Sequence, residues 1–100
     1  MPVFRTKKEA FEWLKSGEKT IDVRKGKSQM GDTAVYLSGR NVLRLKIAKR
    51  ETGLLNEVVR ADNYRLVIPS AATVEGAVAY LRRIYDCYDG VFTAYYVAQL

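Results

Sequence analysis

The alternation of apolar and polar positions changes period several times along this chain, and each change predicts an element. Val3-Phe4 reads as a short strand or a lead-in. Thr6-Lys7-Lys8-Glu9 has the form of a capping box, with Thr6 as N-cap and Glu9 three residues on. The helix it opens runs to about Ser16, burying Ala10, Phe11 and Leu14, with Trp13 at the margin. Gly17 stands where a left-handed residue ends a helix. Lys19–Arg24 then alternates with a period of two: Ile21 and Val23 point to one side, and Thr20, Asp22 and Arg24 to the other. A basic loop follows over Lys25–Met30, and Gly31-Asp32 turns into a strand over Thr33–Leu37. Ser38-Gly39-Arg40-Asn41 reads as a hairpin turn. Val42–Lys49 is the next strand, with Leu43, Leu45 and Ile47 on one face and Arg44 and Lys46 on the other.

The second half reads differently. Gly53–Ala61 predicts a short helix through Leu54, Leu55, Val58 and Val59. Asn63–Ile68 fits a turn, a helical fragment or a short strand, and Pro69-Ser70 breaks the chain. Thr73 caps a longer helix whose Val74, Ala77, Val78, Leu81, Ile84 and Tyr85 follow the helical period. After Asp89-Gly90, Val91–Leu100 is a strand apolar on both faces, as expected between a barrel interior and a packed helix. Strands outnumber strand–helix–strand crossovers, so the predicted class is α+β. The expected architecture is a small mixed or antiparallel β-barrel with helices packed at its ends, in one domain spanning 1–100.

Charge sharpens this picture. The net charge is +6, and it is unevenly spread. Residues 1–50 carry 13 Lys or Arg against 5 Asp or Glu, whereas residues 51–100 carry 4 against 6. The basicity belongs to the half that holds the polar strand, and a basic surface attracts nucleic acid through its phosphates. No apolar run approaches the roughly 20 residues of a membrane helix, so no membrane partner is expected. The N-terminus lacks the apolar core of a secretory signal, so a cytoplasmic location is expected. There is no histidine and one cysteine, Cys87. That excludes an internal disulfide, a structural zinc site and any Ser-His or Cys-His pair within the chain. No metal or cofactor is expected.

The candidate chemistry centres on Gly17-Glu18-Lys19-Thr20-Ile21-Asp22-Val23-Arg24. A hydroxyl, a carboxylate and two cations converge on one short segment. Lys19 is a phosphate ligand, a base if burial lowers its pKa, or a solvated lysine after a helix end. Thr20 either bonds a ligand or is a plain strand residue. Asp22 and Arg24 read as a base or ribose acceptor with a phosphate clamp, and equally as a positioning ion pair. Lys25, Lys27 and Arg40 extend the basic surface. Lys25-Gly26-Lys27-Ser28 lacks the frame of a phosphate-binding P-loop. Tyr95 and Tyr96 point to opposite faces, and Tyr85 lies on the core-facing stripe with its hydroxyl toward the cleft.

The segment ending in Leu14-Lys15-Ser16-Gly17, followed by Lys19-Thr20-Ile21-Asp22-Val23-Arg24, resembles the ASCH domain, a branch of the PUA-like superfamily. It is close to the family pattern Gly-x-Lys-Thr-[Ile/Val]-[Glu/Asp]-x-Arg, and Gly31-Asp32 matches the Gly-Asp opening the next family strand. Pro69, the long helix ending in Ile84-Tyr85, and Gly90-Val91 match the family's later half. The resemblance implies a PUA-like barrel with a cleft beside the Lys19–Arg24 strand and a role in RNA binding or processing. The ligand would meet Lys19, Thr20, Asp22, Arg24, Lys25, Lys27 and Arg40, with the Lys25–Met30 loop as part of the cleft. Two branches imply enzymes, a deacetylase of acetylated cytidine and a ribonuclease-like group. There Lys19 and Asp22 would be the reactive pair. The amidohydrolase branch uses the motif lysine, a threonine three residues later and a glutamate ahead of the late helix. Lys19 matches the first, Asp22 stands in the threonine's place, and no acid lies between Arg65 and Thr73.

Overall fold

Five extended stretches join one mixed sheet, and four helical segments pack against it. In the computed structural model, which describes residues 1–100, the order is β1 (Val3–Arg5), α1 (Lys8–Ser16), β2 (Ile21–Lys25), β3 (Thr33–Ser38), β4 (Asn41–Gly53), α2 (Leu55–Val58), α3 (Tyr64–Val67), α4 (Val74–Ile84) and β5 (Phe92–Gln99). The strand order is β1-β3-β4-β5-β2. β1 runs parallel to β3, and every other pair is antiparallel. In a flat sheet the edges β1 and β2 would lie four strand spacings, roughly 19 Å, apart. Arg24 of β2 nonetheless reaches the Arg5 carbonyl of β1 at 3.0 Å. The sheet therefore curls into a half-barrel with a seam between its two edges.

The curl makes two cores, and β5 divides them. Tyr95 and Val97 face inward, joining Phe4, Tyr36, Leu45 and Ile47, and α1 contributes Phe11 and Leu14 to the same cluster. Phe92 and Ala94 face outward with Ile21 and Val23 of β2, where α2, α3 and α4 cover them with Leu55, Val58, Val67, Ala77 and Leu81. A strand in this position buries both sides, which is why β5 is largely apolar on both faces. The sheet, the two-residue turn at Gly39-Arg40, the α4 stripe as far as Leu81 and the Thr73 cap follow the sequence reading, whereas Ile84 is exposed; the Thr73 hydroxyl accepts from the Gly76 amide at 3.0 Å.

Four details differ from it. Thr6 is not the N-cap of α1; Lys7 holds that place without a side-chain cap, and the Thr6 hydroxyl is used elsewhere. β2 starts at Ile21, because the chain between Gly17 and Thr20 still curls against α1. β4 runs on to Gly53, past an irregularity between Ile47 and Lys49, since pairing with β5 holds Arg50–Gly53 extended without apolar alternation. The helices α2–α4 lie on the outer flank of β2 and β5 rather than at a barrel end.

The exit from α1 sets the position of everything after it. Gly17 adopts φ 87°, and the amides of both Gly17 and Lys19 donate to the Trp13 carbonyl. A Cβ at Gly17 would meet nothing within 4 Å, so the demand there is conformational and not steric. Gly17→Ala is expected to cost about 1 kcal/mol in urea unfolding, the typical penalty for an L-residue held left-handed. An unchanged or raised midpoint would contradict this role.

Candidate functional site

The tight exit from α1 turns Lys19 beneath the sheet edge, where it is only 4% exposed. Its Nζ donates to the carbonyls of Ile21 at 2.9 Å and Val67 at 2.5 Å, and stands 4.0 Å from Oδ1 of Asp22. Burial lowers the Lys19 pKa from 10.5 to about 8; the Asp22 charge opposes that fall, and Arg24 adds to it. Asp22, also 4% exposed, points inward from β2 opposite Tyr95. Burial pushes its carboxyl up, but the cations Arg24 and Lys19 outweigh burial and hold it below the ordinary carboxylate range.

Arg24 is two residues further along the same face. Its Nε donates to Oδ2 of Asp22 at 2.7 Å, Nη1 to the Arg5 carbonyl at 3.0 Å and Nη2 to the Thr6 hydroxyl at 3.1 Å. Its Cζ lies 4.6 Å from the centre of the Phe4 ring. Burial lowers its pKa, but Asp22 reverses that and leaves it raised. One planar fork thus spreads three contacts over three separate nitrogens, a span that the single ammonium nitrogen of a lysine does not cover. The Tyr36 phenol lies close enough to feel the Asp22 charge, yet it is outside hydrogen-bond geometry and has no partner. Burial and that charge hold its proton on.

Over this cluster opens a cleft of about 260 Å³ at the seam between β1 and β2. Lys19, Asp22 and Arg24 form its floor. Ala10 and Trp13 of α1 line one wall, and Leu81 and Ile84 of α4 with Tyr85 line the other. Arg5, Thr6 and Lys7 form the rim. The Tyr80 hydroxyl donates to Oε1 of Glu9 at 3.2 Å, tying α4 to α1. The Tyr85 hydroxyl donates to the Val23 carbonyl at 3.3 Å, and its pKa is raised chiefly by burial. No group of three or more His, Cys, Asp or Glu side chains comes together anywhere, so the residues present offer no metal-ligand set.

The structure gathers Lys19, Asp22 and Arg24 and leaves four other candidates out of the cleft. Thr20 precedes the strand; its backbone bonds Leu66 and Val97, and its side chain does not line the cleft. Lys25 ends β2 on the opposite face and lies over the Tyr88 ring at 4.5 Å. Lys27 is exposed in the following loop, and Arg40 is exposed at the hairpin turn. The Lys25–Met30 loop is not a cleft wall either. It is tied to β4 and β5, where the Gln29 amide donates to the Tyr95 hydroxyl at 2.9 Å and Arg50 donates to the carbonyls of Gln29 and Gly31. The residues that sequence reasoning missed are Arg5, Thr6 and Lys7 at the rim, the Trp13 and Tyr80 side of the cleft, and the Val67 carbonyl. Only Trp13, at the margin of a buried stripe, carried a signal.

No protein-family model matches the chain, and no curated protein matches it. Among solved structures, the crystal structure of hypothetical protein PH0355 matches with a TM-score of 0.78 and 20% sequence identity, over 98% of this chain and 97% of that one. Such a likeness establishes the shared small α+β, barrel-like fold and carries nothing about chemistry. No helix is long and apolar enough to cross a membrane.

The Lys19 environment makes stability pH-dependent with a fixed sign. Below about pH 8 both folded and unfolded chains carry the ammonium; between about 8 and 10.5 the folded chain has released a proton that the unfolded chain still holds. Stability therefore rises with pH through that window. The parent should gain stability between pH 8 and 10, relative to Lys19→Met, in urea unfolding at a series of pH values. Parallel profiles for the two proteins would contradict a buried ammonium of lowered pKa.

Proposed function

We propose that this chain is an ASCH-like, PUA-like module that binds RNA or a nucleotide-like ligand in the cleft at the seam. The observation that supports it best is the gathering of buried Lys19 and Asp22 with half-buried Arg24 at the floor of a cleft with aromatic walls and a cationic rim. Its roughly 260 Å³ lies just below the ~300–1,000 Å³ of sites for drug-sized ligands, which suits one nucleoside and not a folded oligonucleotide. An unpaired base would lie between the Trp13 wall and the Ile84–Tyr85 wall, as flat rings do on aromatic and aliphatic surfaces. Polar edges of the base or ribose would meet the floor. Phosphate would meet Arg5 and Lys7, with Arg83 beside Lys7 in an adjoining shallow depression.

A hydrolase is the second reading, and the lowered pKa of Lys19 favours it. A lysine partly neutral near pH 8 can take a proton or attack a carbonyl. Against that, its Nζ is held by the Ile21 and Val67 carbonyls, and where the amidohydrolase branch carries a glutamate this chain has Ser70 or its neighbours and no acid between Arg65 and Thr73. Asp22 is committed to Arg24. Binding without turnover is the reading that uses every group as it stands.

Titration of isotope-labelled protein with nucleoside monophosphates and acetylated cytidine decides between them. Amides of Ala10, Trp13 and Tyr85 should shift, and Ala10→Leu, which fills the cleft without removing a charge, should weaken binding at least about tenfold. No shift at those amides with any compound would overturn the cleft assignment. Acetate release by the parent that disappears in Lys19→Met would establish the hydrolase in its place.

A further inference from the structure

The helices that cover β2 and β5 leave the outward face of β1, β3 and the first half of β4 without a covering helix, with only Val35 buried there among its neighbours' side chains. Val3 is 57% exposed and Val42 51% exposed on that face, and Arg44 and Lys46 are exposed beside them. The register places Val3, Val35 and Arg44 in one row, Arg5, Leu37 and Val42 in the next, and Thr33, Lys46 and Ala98 in a third. Every charged side chain in these rows is a cation. The hairpin turn adds Arg40 at one end. Past the β4 irregularity, Lys49 lies over the Tyr96 ring at 4.9 Å.

None of Arg5, Arg40, Arg44 and Lys46 has a carboxylate within ion-pair distance; Lys49 has one, because Glu51, the first acid along this face of β4, stands 3.9 Å from its Nζ and is held more closely by Arg60 at 3.0 Å. Packing does not require these charges. Uncompensated like charges on one surface repel each other and weaken the compact state, so their arrangement favours an outside polyanion. The stripe from Arg40 to Lys49 follows one strand for roughly 30 Å at ~3.3 Å per residue, and the molecule's longest dimension is 30 Å. A line of cations along a strand matches a linear polyanion better than a two-dimensional anionic surface. The isolated Val3 and Val42 give little apolar area for a lipid interface.

We infer that this outward face is a second binding surface, which holds the phosphodiester backbone of a nucleic acid without reading its sequence. Arg40, Arg44 and Lys46 neutralise phosphates along the strand, and Lys49 adds a fourth contact by leaving Glu51 to Arg60. The inference does not rest on the cleft reading: the cleft is sized for one nucleoside, and this face needs a polymer.

The test is fluorescence anisotropy with a labelled oligouridylate of about twenty nucleotides across a salt series. If four phosphates are neutralised, affinity should fall about fifty-fold between roughly 50 and 200 mM salt, from a slope of about −0.7 per contact. Arg44→Glu combined with Lys46→Glu should weaken binding at least about tenfold at low salt and reduce that salt-dependent fall to roughly seven-fold or less. Arg44→Gln with Lys46→Gln should show the same reduced slope, and serves if the reversed pair melts early by circular dichroism. In an Ala10→Leu background, which removes any share of the cleft in oligomer binding, the loss caused by Arg44→Glu with Lys46→Glu should persist, so the two surfaces fail or succeed separately. No oligomer binding by the parent, equal slopes in parent and variants, or binding to phosphatidylserine vesicles without oligomer binding would each overturn the inference.

Discussion

The two edge strands of this sheet share no backbone hydrogen bond, yet one guanidinium spans them. Arg24 leaves β2, takes Asp22 on its own strand at 2.7 Å, and reaches the Arg5 carbonyl and Thr6 hydroxyl at the end of β1. Open edges are a liability in β proteins, because their unpaired groups invite other strands. Here the seam is closed by a side chain where a ladder would otherwise be needed. A buried ion pair is weak evidence for net stability, since desolvation offsets much of the attraction. Its contribution here is geometric: it fixes how far the half-barrel curls, and so where the cleft walls stand.

The rest of the cleft depends on that curl. α1 enters the concave side with Phe11 and Leu14, and α4 packs on the outer flank of β2 through Ala77 and Leu81. Only when the seam is drawn together do these two helices face each other over Asp22, close enough for Tyr80 to reach Glu9. Lys19 completes the floor with a cost that the structure carries openly. Its ammonium is out of water, compensated by two carbonyls and by a carboxylate shared with Arg24. Two buried charges and the half-buried Arg24 are held in one cluster for position, and position is what a ligand floor requires.

Much of this was legible in the residues. The alternation Ile21-Asp22-Val23-Arg24 placed the acid and guanidinium on one face because a strand has a period of two, and both do lie together. The double-sided apolar character of Val91–Leu100 placed β5 in the middle. Thr20 and Thr6 were misread for one physical reason. Local pattern assumes regular backbone up to the element boundary, whereas the turn after Gly17 and the bend after β1 break that regularity. The partnership of Arg24 with Arg5 and Thr6 joins residues 18 and 19 positions apart through curvature of the whole sheet, which no local pattern encodes. The same holds for Val67, 48 residues from Lys19. Lys25 was lost by parity alone: one step beyond Arg24 puts it on the other face, over Tyr88.

If the Asp22–Arg24 pair is what sets the closure of the seam, its two members should depend on each other far more than on their surroundings. A double-mutant cycle with Asp22→Asn, Arg24→Gln and the combined variant, read by urea unfolding near neutral pH, measures that dependence directly. A coupling energy of about 2 kcal/mol or more is expected, near the upper part of the range for contacting residues in one polar network. Single losses that add to the double loss within about 0.5 kcal/mol would contradict it, leaving the half-barrel's curl to its apolar cores alone.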